Sequence, residues 1–238
     1  MILKTEKEIK RMKVLVACEE SQRVCIEFRK LGHEAYSCDI EPCSGGHPEW
    51  HIQDDVLPLL NGNCDFKTVN GDIHHLIGKW DLIIAHPPCT YMSKAGARFM
   101  YPSAGRINQD RFHKAMKAKE FFMMFYNADC VNICIENPTP LKVVGLPKES
   151  QVIQPYMFGE PYSKRTLLWL KNLPKLKPTN FVKDFVPYLP SNTGGLSRGK
   201  GGSRGVVHNA KDASKTFHGI AKAMAEQWGN NDGLNVKE

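Results

Sequence analysis

Two strand-like runs in this chain end in the same manner. Leu82-Ile83-Ile84-Ala85 stops at His86-Pro87-Pro88-Cys89, and Val131-Asn132-Ile133-Cys134-Ile135 stops at Glu136-Asn137-Pro138. Proline has no N–H for a sheet ladder, so the chain must leave the sheet where the prolines stand. The diproline also stiffens the exit and holds the next side chain, Cys89, in one place. That suits a nucleophile, because misplacement costs rate. Pro138 braces Glu136 in a similar way. A thiolate and a carboxyl that can take or give a proton form a workable pair for covalent catalysis. The plainer alternatives are an inert core thiol for Cys89 and a solvated strand end or ion pair for Glu136. The order of the two, on successive strand ends beside proline, favours the catalytic pair.

The elements that must position these groups alternate along the chain. Residues 13–18 are an apolar run of strand length. Ser21 then offers an N-cap, and Val24, Phe28 and Leu31 mark one face of a helix that Gly32 closes. Residues 34–38 form a second strand ending at Asp39. Strand, helix, strand within about thirty residues is a βαβ unit and implies a parallel sheet. Residues 51–60 hold a short strand and a helical turn, 61–78 read as a loop or small insertion, and 80–85 are the strand before the diproline. After an irregular stretch at 89–108, a helix begins at Gln109 with Ala115, Ala118, Phe122 and Phe125 on one stripe. Residues 151–154 and 166–170 form a strand-like pair. The stretch 193–205 is Gly/Ser-rich and basic, and 217–228 has helical spacing through Ile220, Met224 and Trp228. The fold class is α/β, with a doubly wound, mostly parallel sheet and a small basic appendage.

Bulk properties narrow the function classes. The chain has 238 residues, 42% of them hydrophobic, and a formal charge of +7 with 32 Lys+Arg against 25 Asp+Glu. That excess permits an anionic partner without requiring one. No apolar stretch approaches the roughly 18 residues of a membrane span. The start, MILKTEKEIKRMK, lacks the apolar centre of a signal peptide. Eight cysteines in strand- and helix-like runs fit free thiols in a reducing cytoplasm. Cys38, Cys43 and His47, and Cys64, His74 and His75, are two groups without paired CxxC spacing, which argues against a structural zinc. The zinc deaminase signature is also missing after Cys89.

Ligands of open parallel sheets bind at the carboxyl ends of the strands. In this chain those ends lead to Cys18-Glu19-Glu20-Ser21, to Asp39 with Glu41 near, to Asp54 and Asp55, to His86-Pro87-Pro88-Cys89 and to Glu136-Asn137-Pro138. Polar and reactive groups thus collect at one rim.

These residues carry a resemblance. Pro87-Pro88-Cys89 and, 47 residues later, Glu136-Asn137 resemble the Pro-Cys and Glu-Asn motifs of the DNA cytosine-5 methyltransferases. VLVACEESQ, AHPPCTYMS, IENP and SKRTLLWL together resemble a small, phage-type branch of that family. The resemblance covers roughly residues 13–170 and, more weakly, 214–229. It implies a Rossmann-like fold binding S-adenosylmethionine, DNA as partner, and methylation of cytosine C5 on a base flipped out of the duplex or single-stranded. It further implies Cys89 as nucleophile on C6, Glu136 as the acid at N3, and Arg165 as a contact to the flipped cytosine. The implied cofactor-binding set is Ala17, Cys18, Glu19, Ser21, Asp39, Ile40, Asp55 and Pro87, with Asp39 on the ribose and Asp55 near the adenine. The domains become a polar extension 1–12, a catalytic domain 13–170, a partly flexible basic recognition segment 171–213 and a C-terminal helix 214–238 packing back. Two features depart from the family. Cys18-Glu19-Glu20-Ser21 replaces a Gly-rich motif, and Arg165 stands alone where the family has two arginines. The short recognition segment implies short or relaxed sequence specificity. Methylation of an exocyclic amine, an inert DNA-binding relative, and a cytosine enzyme acting on free nucleotide are the alternatives.

Overall fold

A computed structural model describes residues 11–189, 206 and 209–229. Most of the polar N-terminal extension and the basic stretch 193–205 lie outside the described residues. In chain order the elements are β1 (Lys13–Ala17), α1 (Arg23–Lys30), β2 (Glu34–Asp39), β3 (His51–Gln53), β4 (Cys64–Lys67), β5 (Ile73–Leu76), β6 (Leu82–Ala85), α2 (Ala97–Met100) and α3 (Gln109–Tyr126). There follow β7 (Asn132–Pro138), β8 (Gln151–Ile153), β9 (Tyr162–Ser163), β10 (Thr166–Lys171), β11 (Val186–Pro187), α4 (Ala210–Ser214) and α5 (His218–Gly229).

Seven strands form one sheet in the order β3-β2-β1-β6-β7-β10-β8. All neighbours from β3 to β7 are parallel, and β10 runs antiparallel to both β7 and β8. This is the mostly parallel, doubly wound sheet expected. The chain works outward from β1 to β3, then returns to the other side of β1 for β6 and β7. The direction of winding therefore switches between β1 and β6, which is where such sheets open a crevice.

Both faces of the sheet are covered, so its strands are apolar on both sides. Leu15, Ala17, Ile83, Ala85, Ile133 and Ile135 face a core completed by Ala115, Phe122 and Phe125 of α3. Val14, Val16, Leu82, Ile84 and Cys134 face the other, with Val24 and Phe28 of α1 and Ile220, Met224 and Trp228 of α5. Phe28, Phe122 and Trp228 are fully buried, each stabilising by about 2–3 kcal/mol from apolar transfer alone. Among the described residues, no helix is long and apolar enough to cross a membrane.

Of the two readings of residues 61–78, the small insertion is what forms: β4 and β5 pair antiparallel in a separate hairpin. Two local expectations are corrected. The strand before the diproline starts at Leu82, because Trp80 turns into the core, where its indole N–H donates to the Leu59 carbonyl at 2.7 Å. Ser21 does not cap α1. The Glu19 carboxylate does, accepting from the N–H groups of Val24 at 2.7 Å and Cys25 at 3.2 Å. Gly32 ends this helix as expected, at φ +84°.

Glu19 is 4% exposed, and burial lifts its carboxyl from 4.5 to about 6, against the pull of His86 and the two helix N–H groups. The folded protein thus holds this proton more tightly than the unfolded chain does. Its contribution to stability is full below the ordinary value and declines as pH rises from 4.5 to about 6, by about 2 kcal/mol. Urea denaturation of wild type and Glu19→Gln across that window is expected to show this decline in the wild type only.

Candidate active site

The site forms where the register of the parallel strands brings the chain exits together. Ala17 lies opposite Ala85, and Ala85 opposite Ile135. The next residues, Cys18, His86 and Glu136, therefore share one rim at the switch between β1 and β6. The backbone N–H of His86 extends the β1–β6 ladder to the Ala17 carbonyl at 2.9 Å. The diproline then turns the chain away, as its missing N–H groups require. Asn137 fixes that turn: its buried amide donates to the Pro87 carbonyl at 2.7 Å. The Asn of Glu136-Asn137 thereby holds the corner from which Cys89 projects. The Cys89 carbonyl next accepts from Met92 and Ser93 at 3.0 and 2.9 Å, so the thiol sits on a closed turn.

Cys89 is half-buried and free. Burial, then the neighbouring Glu136 carboxylate, push its thiol up, and the Lys164 ammonium pulls it back. For Glu136, burial pushes the carboxyl up, but hydrogen bonding from His86 and Thr166 and the charge of Lys164 outweigh it and hold the group below its ordinary value. The His86 Nδ1 lies 3.4 Å from Glu136 Oε2, with side chains 9% and 13% exposed. The resting pair is thus a protonated thiol beside an ionised carboxylate, with an ammonium acting on both.

That ammonium belongs to Lys164, not to Arg165. Arg165 is exposed, and its Nε donates to Thr139 Oγ1 at 3.2 Å, just beyond Glu136-Asn137-Pro138. The antiparallel direction of β10 explains why this segment reaches the site at all. Thr166 pairs with Pro138, so the entry to β10, rather than its exit, lies beside the end of β7. Lys164 and His86 were the residues the sequence did not single out. A histidine directly before the diproline was the one available signal.

The residues expected around the cofactor divide into two groups. Cys18, Asp39 and Asp55 come together: Asp39 and Asp55 both act on the Cys18 thiol, which burial pushes well up. Asp39 closes β2 half-exposed, and Ile40 beside it is 73% exposed. Cys18 turns at φ +57°, a left-handed conformation that glycine would take more easily. A cavity of about 420 Å³ opens from Asp55 between β3 and the β4–β5 hairpin, lined by Asp54, Phe66 and Thr68 among others. Ala17, Glu19, Ser21 and Pro87 are more deeply buried. Ala17 is fully buried, Glu19 caps α1, Ser21 is 8% exposed, and Pro87 is buried with its carbonyl bound by Asn137.

A glycine-bearing loop packs against the β1–α1 loop. Residues 44–47 fold back over it: Gln22 bonds both the N–H and the carbonyl of His47, at 3.0 and 2.9 Å, and Ser44 bonds Glu20. A Cβ on Gly45 would stand 2.5 Å from Gln22 Cβ and 2.7 Å from the Ser21 carbonyl. Gly45→Ala is expected to lower stability by about 1–3 kcal/mol and to expose the β1–α1 loop, read by thermal unfolding and by hydrogen exchange at residues 18–24.

Beside Cys89, the following loop is pinned to α3. Arg111 donates to the Thr90 carbonyl at 2.7 Å and lies 5.2 Å over the rings of Tyr91 and Phe99. Phe99 remains 50% exposed, and Arg98 and Lys114 complete an aromatic and cationic cleft. Neither a scan against protein-family models nor a search of curated protein sequences finds a match for this chain.

Proposed function

We propose that the protein is an S-adenosylmethionine-dependent DNA methyltransferase acting on C5 of cytosine through a covalent adduct on Cys89. One observation carries it. The parallel register of β6 and β7 and the Asn137–Pro87 hydrogen bond of 2.7 Å set the Cys89 corner beside the strand end that carries Glu136, with Lys164 at the entry to β10, which supports a thiol and a carboxylate working as a pair.

The resting protonation states give the step its balance. The Cys89 thiol proton passes to the Glu136 carboxylate. The sulfur lone pair forms the bond to C6, the C5–C6 pair shifts through C4 toward N3, and Glu136 hands the proton to N3. C5 is then electron-rich. S-adenosylmethionine, when bound, supplies the methyl group. Solvent water takes the C5 proton, and the C5–H electron pair re-forms the C5–C6 double bond and expels Cys89 as thiolate. Glu136 takes back the N3 proton and returns it to the sulfur, so that one proton in all leaves to solvent. Lys164 favours the thiolate and carboxylate forms throughout. The adduct that precedes methyl transfer is uncharged at the ring, and the positive charge that methyl transfer places on C4–N3 is removed as the C5 and N3 protons leave, the latter to the Glu136 carboxylate.

The rim fits the cofactor chemically. The Asp39 carboxylate suits a ribose diol, exposed Ile40 offers an apolar face to a purine, and a buried Glu20 oxygen without a partner suits a cationic group. Phe99 and Tyr91, among Arg98, Arg111 and Lys114, match a nucleic-acid strand, whose bases stack and whose phosphates are anionic. All eight cysteines are free, in keeping with a reducing cytoplasm.

The test is incubation with DNA and methyl-labelled S-adenosylmethionine, followed by nucleoside analysis. Label in 5-methylcytosine is expected. Label on cytosine N4 or adenine N6, or DNA binding without transfer, overturns the assignment.

A further inference from the structure

A buried imidazole stands behind Glu136, and the thiol chemistry leaves it without a task. The His86 side chain is 9% exposed. Its Nδ1 lies 3.4 Å from Glu136 Oε2, and its Nε2 is buried with no hydrogen-bond partner. The backbone pins the residue, since its N–H is committed to Ala17. An unmet ring nitrogen in the interior is a cost that simple packing does not offset. A carboxylate only accepts, so the nitrogen facing Glu136 is assigned the proton.

We propose that His86 is a positioning residue for Glu136: its Nδ1–H holds Oε2 and, together with the Thr166 hydroxyl, fixes the carboxylate toward the N3 edge of cytosine, where it waits as the ionised acceptor of the Cys89 proton. This rests on the cytosine-5 assignment above. The transfer runs from sulfur to Glu136 to N3, and the imidazole takes no part in it.

The charged surroundings are few. Glu136 faces His86 from the end of β6, Lys164 from the entry to β10, Cys89 from the loop after β6, and Cys134 on its own strand. His86 faces Glu136 on one side and, within electrostatic reach, Glu19 on the other, which Arg23 also influences. Removing the imidazole takes from Glu136 a partner that favours its ionised form. The carboxyl then protonates at higher pH, and the acid limb of kcat/KM moves upward.

The experiment uses the full chain, methyl-labelled S-adenosylmethionine and cytosine DNA, with denaturation midpoints recorded for each variant. His86→Phe keeps the ring's bulk without the donor, and His86→Asn keeps an N–H. For His86→Phe we expect kcat to fall about 100-fold with KM for DNA within about threefold, and the acid limb to rise by about one pH unit. His86→Asn is expected to recover to within about tenfold of wild type. An unchanged kcat and acid limb in His86→Phe overturns the proposal, as does a folded Asn variant no better than the Phe variant, which marks a packing role. If His86→Phe does not fold, His86→Asn decides alone: near-wild-type rate supports the proposal and a 100-fold loss overturns it. Absence of transfer by the wild type itself refutes the cytosine-5 assignment, and the role of His86 falls with it.

Discussion

Cys89→Ala is expected to abolish methyl transfer, lowering kcat by about four to six powers of ten while leaving the fold intact. The effect is large because no other group in the site can take over the bond to C6. In the proposed reaction Glu136 would carry protons and Lys164 charge, and neither would bond to carbon. The seven remaining thiols do not share its corner: Cys25, Cys38, Cys130 and Cys134 are buried, Cys18 faces Asp39 at the neighbouring strand end, Cys43 follows β2, and Cys64 starts the β4–β5 hairpin. Stability should change by less than about 1 kcal/mol, because Cys89 is only half-buried and shortening it opens no sealed cavity. The direct readout is DNA containing 5-fluorocytosine. Fluorine at C5 cannot leave as a proton does, so the adduct accumulates and its mass identifies the Cys89 peptide. Wild type should form it, and Cys89→Ala should not. Retained methylation in Cys89→Ala would remove covalent catalysis and bring forward transfer to an exocyclic amine.

Glu136→Gln carries the second large effect, a fall in kcat of about 10²–10⁴-fold. Glutamine keeps the size and can still meet the His86 N–H through its carbonyl, so the sheet and the Cys89 corner should survive. What it cannot do is accept the thiol proton and return it to N3. The pH dependence separates this from a packing defect. Hydrogen bonding and the Lys164 charge hold the Glu136 carboxyl below its ordinary value, so wild-type kcat/KM should remain flat down into the acidic range and fall only as that carboxyl protonates. The residual activity of Glu136→Gln should lack this limb. A limb that persists there belongs to another group and removes Glu136 from the proton path. Thermal unfolding within a few degrees of wild type would confirm that the loss is chemical.

The order of reactive groups along the chain could be read from residues 13–170 alone. Apolar runs of strand length, a helix stripe between the first two and proline at the ends of two more are local signals. In a parallel sheet, local signals fix which strand ends meet a common rim. Cys89, Glu136, Asp39 and Asp55 were legible for that reason. Contacts between distant segments were not. That the entry to β10 borders Glu136 depends on β10 running antiparallel, a matter of pairing between residues far apart in sequence, and this is what sets the charge of Lys164 on Glu136 and the thiol and ties Arg165 to Thr139. That Glu19 caps α1, and that Gly45 rather than a glycine after β1 permits the close loop packing there, depends on backbone turns at Cys18 and Gln22, both at positive φ, which side-chain periodicity does not encode. The sequence by itself determined the chemistry available and the strand ends that carry it. Tertiary structure decided which charge stands beside the sulfur and which carboxylates are free to bind a ligand, because electrostatic interactions act through space over a few ångströms and take no account of separation along the chain.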